Sequence, residues 1–516
     1  MKRQTSQQVI MIIIFLLAMG ITHRLTSFVW NTRIQGDVNL FALTAREVTN
    51  NSRLFYPMKY EYSDQVDYLT LSHPAVQHPP LFPFVAGLLG KLFNSDDTFF
   101  FLKLVCLSAG TFLLVAIAVL GVRNGWHLET ALALLMISLS PIIADYSANG
   151  SSYIISALLI TAATYLSAQF RYDQLSNYVL VAILCGLGLQ LHGALVSLPA
   201  AFTLIWLINI RRLRWAGVFI TAILGLLLLT PWMAWTYSHF GRLFYTYSTL
   251  ALRMSWGLAV EGVFDDIVTV RTVAEVDGLF IQKYIPAVFE TYLRFWLVHF
   301  LEVGPFCWLL AIAGGWYLFQ SDKKVAMLAI LPAFIYSILP AATTILRIRY
   351  IIPILPLTYL FAAWGFTQLL PRYRRLAVIG FVGTLMWFVP QFLETPLTRY
   401  YLDDFELSQK HASMVELSTA LGQLEPGVVM GRATHLVGGV ETVYWHRFPY
   451  VRGRIHSLKI HQDYSGQILH KLADDFEVRY IWADDTTVEE IKALFPAATI
   501  ILNKEPFYVF ERPQIE

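Results

Sequence analysis

Apolar runs of bilayer-spanning length recur along this chain, and they constrain its fold more than any other feature. A hydrocarbon core about 30 Å thick takes roughly 20 apolar residues in helix, at about 1.5 Å each. Residues 9–30 meet that length, and 99–121, 128–144, 153–170, 178–190, 194–210, 215–237, 292–319, 325–345, 350–370 and 376–392 meet or approach it, making eleven expected spans. The run 81–93 is too short to cross and suits the interface instead. Only 14% of the residues are charged, against roughly 25% in a soluble protein. The chain therefore cannot cover a water-facing surface of its size, and it reads as a polytopic membrane protein. Lys2 and Arg3 before the first run resemble a signal peptide, but no small-residue cleavage site follows. The run reads as an uncleaved first span with the N-terminus in the cytoplasm.

The placement of charge gives a separate test of this layout. Cytoplasmic loops concentrate Lys and Arg, and the expected inner loops carry Arg123, then Arg171, then Arg211, Arg212 and Arg214, then Lys323 and Lys324, then Arg372, Arg374 and Arg375. The pair 178–190 and 194–210 turns at Leu191-His192-Gly193, and merging it into one span would put every later cluster outside. A net charge of +2 from 38 basic and 36 acidic residues excludes a nucleic-acid binder, which needs a basic excess on one face. Cys106, Cys185 and Cys307 all lie in apolar runs without metal-ligand spacing, and read as packing residues.

Three regions fall outside: 31–98, 238–291 and everything after about 393. The last regains soluble composition. Helix-like segments near 408–421, 466–476 and 488–494 alternate with strand-like runs 428–431, 478–483, 499–502 and 507–510. The expected fold class is therefore an all-α polytopic membrane protein with interfacial helices in its first external loop and a small C-terminal α/β domain. The expected domains are residues 1–395 in the membrane and 396–516 outside it. By eye no internal repeat stands out, which weakens an inverted-repeat transporter.

Several ionisable residues are candidates for chemistry. Asp37 stands just beyond the first span at the start of an amphipathic helix, where it serves as an N-cap, a catalytic base or both. His78 precedes Pro79-Pro80 and is a substrate contact or an interfacial residue. Asp145, in the turn from Ser140 to Gly150, is a second external carboxylate or a solvated loop residue. Arg347 and Arg349, next to Tyr350, stand outside in a very short loop and break the positive-inside trend. Paired guanidiniums there either hold phosphate with planar, multiply donating groups or snorkel to lipid headgroups.

Five features taken together resemble the GT-C glycosyltransferases: an acid beyond the first span, an interfacial helix opened by Pro79-Pro80-Leu81, a Ser-Pro-x5-Ser turn from Ser140, Pro231-Trp232, and Arg-x-Arg-Tyr-x2-Pro-x2-Pro from Arg347. The nearest branch is that of the protein O-mannosyltransferases and lipid A aminoarabinose transferase, and the resemblance covers roughly residues 8–393. It implies an inverting enzyme that moves a sugar from a polyprenyl-phosphate donor to an acceptor on the external face. In that frame Asp37 is the base, Arg347, Arg349 and Tyr350 belong to the donor-phosphate site, and His192, near a family Lys, is a contact to the phosphate. Many relatives have a second acid after the first, where this chain has Val38. Asn149 stands where relatives often have an acid, leaving Asp145 as a displaced substitute. Gln77 replaces an acid of the aminoarabinose transferase, so no residue is assigned to a metal and a divalent ion is left open. The rival readings are a noncatalytic lipid-sugar binder or assembly subunit of the same fold, and a lipid or sugar transporter.

Overall fold

The computed structural model describes residues 2–30, 36–56, 73–74, 79–95, 97–240, 243, 285–342, 348–397, 427–432, 455–460, 470, 473–474, 478–484, 487–504 and 507–513. In chain order the helices are α1 (Lys2–Trp30), α2 (Gly36–Asn51), α3 (Leu81–Leu92), α4 (Thr98–Arg123), α5 (His127–Leu139), α6 (Pro141–Tyr146), α7 (Tyr153–Ala168), α8 (Leu175–Leu191), α9 (Ser197–Ile208), α10 (Trp215–Phe240), α11 (Ile285–Val303), α12 (Pro305–Ser321), α13 (Lys323–Ala342), α14 (Leu355–Leu369), α15 (Arg374–Leu397) and α16 (Val488–Leu494). The chain divides into two compact units: Met1–Asn31, Val76–Phe82 and Lys103–Pro396 form the first, and Thr32–Ala75, Pro83–Leu102 and Leu397–Glu516 the second.

The described residues include six helical segments long and apolar enough to cross a membrane: Gln7–Val29, Thr98–Arg123, Trp215–Ser238, Val325–Ala342, Ile348–Leu369 and Arg374–Phe392. The segments His127–Leu139, Tyr153–Ala168, Leu175–Leu191 and Gly193–Ile208 are apolar but shorter. The molecule is thus a multi-pass membrane protein. The hairpin expected around His192 is present: α8 ends at Leu191, and a 3₁₀ turn over Gly193–Val196 leads into α9. The run 81–93 forms the twelve-residue α3.

Two expected spans are not continuous helices. The run 128–144 stops at Leu139, passes through Ser140 in an extended conformation (φ −71°, ψ 111°), and restarts at Pro141 as the six-residue α6. Proline explains the restart, because it lacks the N–H that a continuing helix would need but fits a first turn. The run 292–319 is also broken, with α11 and α12 meeting at 110°. Gly304 makes that bend with φ +79°, and a Cβ there would lie 2.6 Å from Cγ of Trp387. Only glycine supplies both the left-handed backbone and the space, and Pro305 then opens α12.

Helix packing in the first unit relies on small residues and a few polar ties. α12 and α14 approach until a Cβ at Gly314 would lie 1.9 Å from the Phe361 carbonyl and one at Gly365 2.0 Å from the Leu310 carbonyl. Without a hydrophobic drive between helices in lipid, such close approach is a main source of packing energy. The first turn of α14 ties both broken spans together. Thr358 Oγ1 lies 2.9 Å from His299 Nε2 on α11, and Tyr359 donates from its hydroxyl to Ser140 Oγ at 3.2 Å.

In the second unit α2 lies on α3. Gly87 lets the two backbones meet, since a Cβ there would come 2.5 Å from the Ala45 carbonyl, and Thr49 Oγ1 donates to the Gly87 carbonyl at 3.0 Å. Two short strands, β1 (Phe55–Tyr56) and β2 (His73–Pro74), pair antiparallel. The C-terminal sheet contains β3 (Gly427–Arg432), β4 (Ile455–Ile460), β5 (Val478–Asp484), β6 (Thr499–Lys504) and β7 (Phe507–Glu511) in the order β4-β3-β5-β7-β6. β3 runs parallel to β4 and β5, whereas β7 is antiparallel to β5 and β6. Ile481 and Ala483 lie on one face of β5 and, with Val478 on the far side of a register shift against β3, join a core shared with Val488 and Ile491 of α16, Phe495 and Phe510. The four strands and the helix at 488–494 expected in this region are present, and β4 is an addition. The segments 408–421 and most of 466–476 lie outside the described residues.

Candidate active site

The break at Ser140-Pro141 sets up the site. α6 lasts six residues, residues 147–152 turn the chain, and α7 begins at Tyr153. Gly150 supplies a left-handed residue at φ +80°. The turn carries Ser147, Asn149, Ser151 and Ser152, all buried at 2% exposure or less. Polar side chains removed from solvent need partners, and some are met locally. Ser147 Oγ donates to the Ile143 carbonyl at 2.6 Å, and the Ser151 N–H donates to Asn149 Oδ1 at 3.0 Å. Asn149 Nδ2 and Ser152 Oγ have no hydrogen-bond partner.

Tyr153, buried at the first position of α7, organises an aromatic and cationic cluster. The His192 ring centroid lies 4.8 Å from that of Tyr153, and the Tyr350 centroid 5.7 Å. The Arg349 guanidinium carbon sits 5.6 Å from the Tyr153 centroid and 5.8 Å from that of Tyr350. Tyr146, one residue beyond Asp145, meets Tyr153 edge-on at 6.2 Å. Arg349 and Tyr350 lie on a 3₁₀ segment over Ile348–Ile354, and the last four residues of that segment are buried. His192 caps the turn into α9, and its Nδ1 accepts the Ala194 N–H at 3.3 Å. In a neutral ring that leaves the proton on Nε2.

The Arg349 guanidinium is within cation-π reach of both tyrosine rings. A guanidinium fork and an imidazole N–H are hydrogen-bond donors of the kind that oxyanions accept. Among the described residues no three His, Cys, Asp or Glu side chains converge as a metal would need.

The structure brings together Arg349, Tyr350 and His192 from three separate elements, and Asn149 lies in the turn that leads into Tyr153. Asp145 is half-buried in α6, beside Tyr146. Asp37 is the second residue of α2, in the second unit, and its side chain is outside the described residues. His78 and Arg347 are outside them as well. Tyr153, the centre of the cluster, carries no motif. Its sequence signal is an aromatic at the start of a span just after the small polar run Ser147 to Ser152.

The chain is similar to known glycosyltransferases. A family model described as "Dolichyl-phosphate-mannose-protein mannosyltransferase" matches residues 77–235. The crystal structure of ArnT from Cupriavidus metallidurans bound to undecaprenyl phosphate superposes with a TM-score of 0.64 at 12% identity, covering 96% of this chain and 97% of that one. An Archaeoglobus fulgidus oligosaccharyltransferase in complex with Zn and sulfate gives 0.58 at 13% identity, covering 94% and 69%. AglB from the same organism, with an inhibitory peptide and a dolichol-phosphate, gives 0.57 at 12%, covering 99% and 75%. No curated protein matches by sequence. The chain has the GT-C glycosyltransferase fold and resembles the branch of ArnT and the protein mannosyltransferases.

Proposed function

We propose that this protein is an inverting glycosyltransferase that moves a sugar from a polyprenyl-phosphate donor to an acceptor hydroxyl at the external membrane face. The observation that carries the proposal is the Arg349 guanidinium placed within cation-π reach of Tyr153 and Tyr350, with His192 against Tyr153, in a fold shared with a protein bound to undecaprenyl phosphate. The Arg349 fork, with Arg347 and His192, holds the donor phosphate, and Asn149 contacts the substrate. Asp37, with Asp145 as a further carboxylate and His78 as a substrate contact, serves the acceptor side.

The reaction is a single displacement. Asp37 takes the proton of the acceptor hydroxyl as that oxygen bonds to the anomeric carbon. The bond from that carbon to the phosphate oxygen breaks on the opposite face, and the phosphate leaves with the electron pair. Charge grows on the leaving phosphate as the bond breaks, so cations placed there in advance lower the barrier. The cations of the expected inner loops support a cytoplasmic N-terminus provided the bent pair α11–α12 crosses once. The region after residue 395 is then external, and the location is a bacterial inner membrane.

The test is single-turnover transfer from a polyprenyl-phosphate sugar by the purified protein and its Asp37→Asn variant, with the anomeric configuration of the product determined. Transfer with inversion by the wild type, and loss of it in the variant, supports the reading. Val38, directly after Asp37 where the family resemblance implies a second acid, favours as second reading a noncatalytic lipid-sugar binder, which predicts donor binding without transfer.

A further inference from the structure

Arg24 stands apart from every group used so far. It lies inside the apolar segment Gln7–Val29 of α1 and is fully buried. Its Nη1 donates to the Gly20 carbonyl of its own helix at 2.9 Å, while Nε and Nη2 have no hydrogen-bond partner among the described residues. Among the described residues no carboxylate oxygen lies within 4.0 Å of the guanidinium. The side chain does not snorkel, because it turns back toward Gly20 and reaches no solvent. A buried cation without a counter-charge costs several kcal/mol in general, and an ionisable residue inside a span is by default a functional one.

The surroundings of Arg24 show where its charge acts. A Cβ at Gly110 of α4 would lie 3.3 Å from Arg24 Nε and 2.3 Å from Ser147 Oγ. Glycine at that position therefore keeps open the space in which the guanidinium approaches the turn after α6. Ser147 directly follows Tyr146, whose ring meets Tyr153, and Tyr153 carries Arg349 and His192. The turn thus links a positive charge with no counter-charge among the described residues to the phosphate seat, through an interior that screens charge weakly.

We propose that Arg24 is a buried counter-charge for the anionic phosphate of the lipid donor, acting through space across the turn at residues 147–152 and not by contact. This rests on the reading of the Tyr153 cluster as a lipid-phosphate site, and it adds a residue outside that cluster that favours the charged lipid over a neutral one. Arg24 is then a positioning residue whose effect follows the charge of the ligand.

The test compares binding of a polyprenyl phosphate with binding of the uncharged polyprenol of equal chain length, using the full chain in detergent. In Arg24→Met the affinity for the phosphate is expected to fall about tenfold, as losing one weakly screened unit charge implies, while polyprenol binding stays unchanged. Arg24→Lys should keep most of the phosphate preference. Because Arg24→Met is a core change, Arg24→Gln provides a second route: it stays polar but carries no charge, and should reproduce the selective loss. Equal losses for both lipids, or unchanged phosphate affinity in a folded variant, would overturn the proposal. A wild type that binds both lipids equally would overturn the phosphate-site reading along with it.

Discussion

Thr358→Val isolates one hydrogen-bonded relay that holds the Arg349 segment in place. The Trp308 indole N–H donates to His299 Nδ1 at 2.9 Å. An indole can only donate, so His299 Nδ1 is the acceptor and Nε2 carries the proton toward Thr358 Oγ1, 2.9 Å away. Thr358 in turn donates to the Ile354 carbonyl at 3.3 Å, at the end of the segment that carries Arg349 and Tyr350. Valine matches threonine in shape but removes the hydroxyl, leaving the His299 N–H without an acceptor in a side chain only 1% exposed. An orphaned buried donor costs about 1–3 kcal/mol. The expected result is a clear fall in thermal stability for Thr358→Val, near-wild-type stability for Thr358→Ser, and weaker binding of polyprenyl phosphate in the valine variant. A Thr358→Val protein as stable as wild type would refute the relay and the tautomer assigned to His299.

Three other outcomes are expected. Arg349→Ala should weaken lipid-phosphate binding and slow transfer together, and Arg349→Lys should restore only part of both, because a point charge lacks the planar fork; donor affinity and single-turnover rates on the same samples check this. Gly365→Ala should cost about 1–3 kcal/mol of stability as overpacking, since its methyl would meet the Leu310 carbonyl at 2.0 Å, whereas Gly315→Ala, which has open space, should be near neutral in thermal unfolding. Cysteine labels at Lys323 and Lys492 should react from opposite sides of the membrane, and reaction of both from one side would break the assigned topology.

Much of the membrane layout is legible in the sequence because apolar length is a local property. The turn at His192 and the helix at 81–92 follow from run length and charge placement alone. The breaks at Ser140 and Gly304 are harder to read, because a Pro inside an apolar run is often tolerated in a membrane helix. Gly304 bends the chain only where Trp387, far along the sequence, fills the space beside it. The strand β4, Ile-His-Ser-Leu-Lys-Ile, lacks strict alternation and gains its identity from the parallel register with β3. In the candidate site, Arg349 is visible in the sequence as an anomaly of charge and position, whereas Tyr350 and His192 enter through the family resemblance. Tyr153 and Arg24 are not visible there, because a tyrosine or an arginine near a span end has an ordinary interfacial explanation. Only the packing of α1, α4 and the 147–152 turn around Arg24 removes that explanation.

The central claim is that the Tyr153–Arg349 cluster holds the phosphate of a lipid-linked sugar donor. Native mass spectrometry of the purified protein, with the mass of any bound lipid headgroup determined, addresses it most directly. The account predicts that the wild type carries a polyprenyl phosphate or its glycosylated form and that Arg349→Ala loses it. A wild type that binds no phosphate-bearing lipid when one is supplied, or an Arg349→Ala protein that retains it fully, would contradict the account.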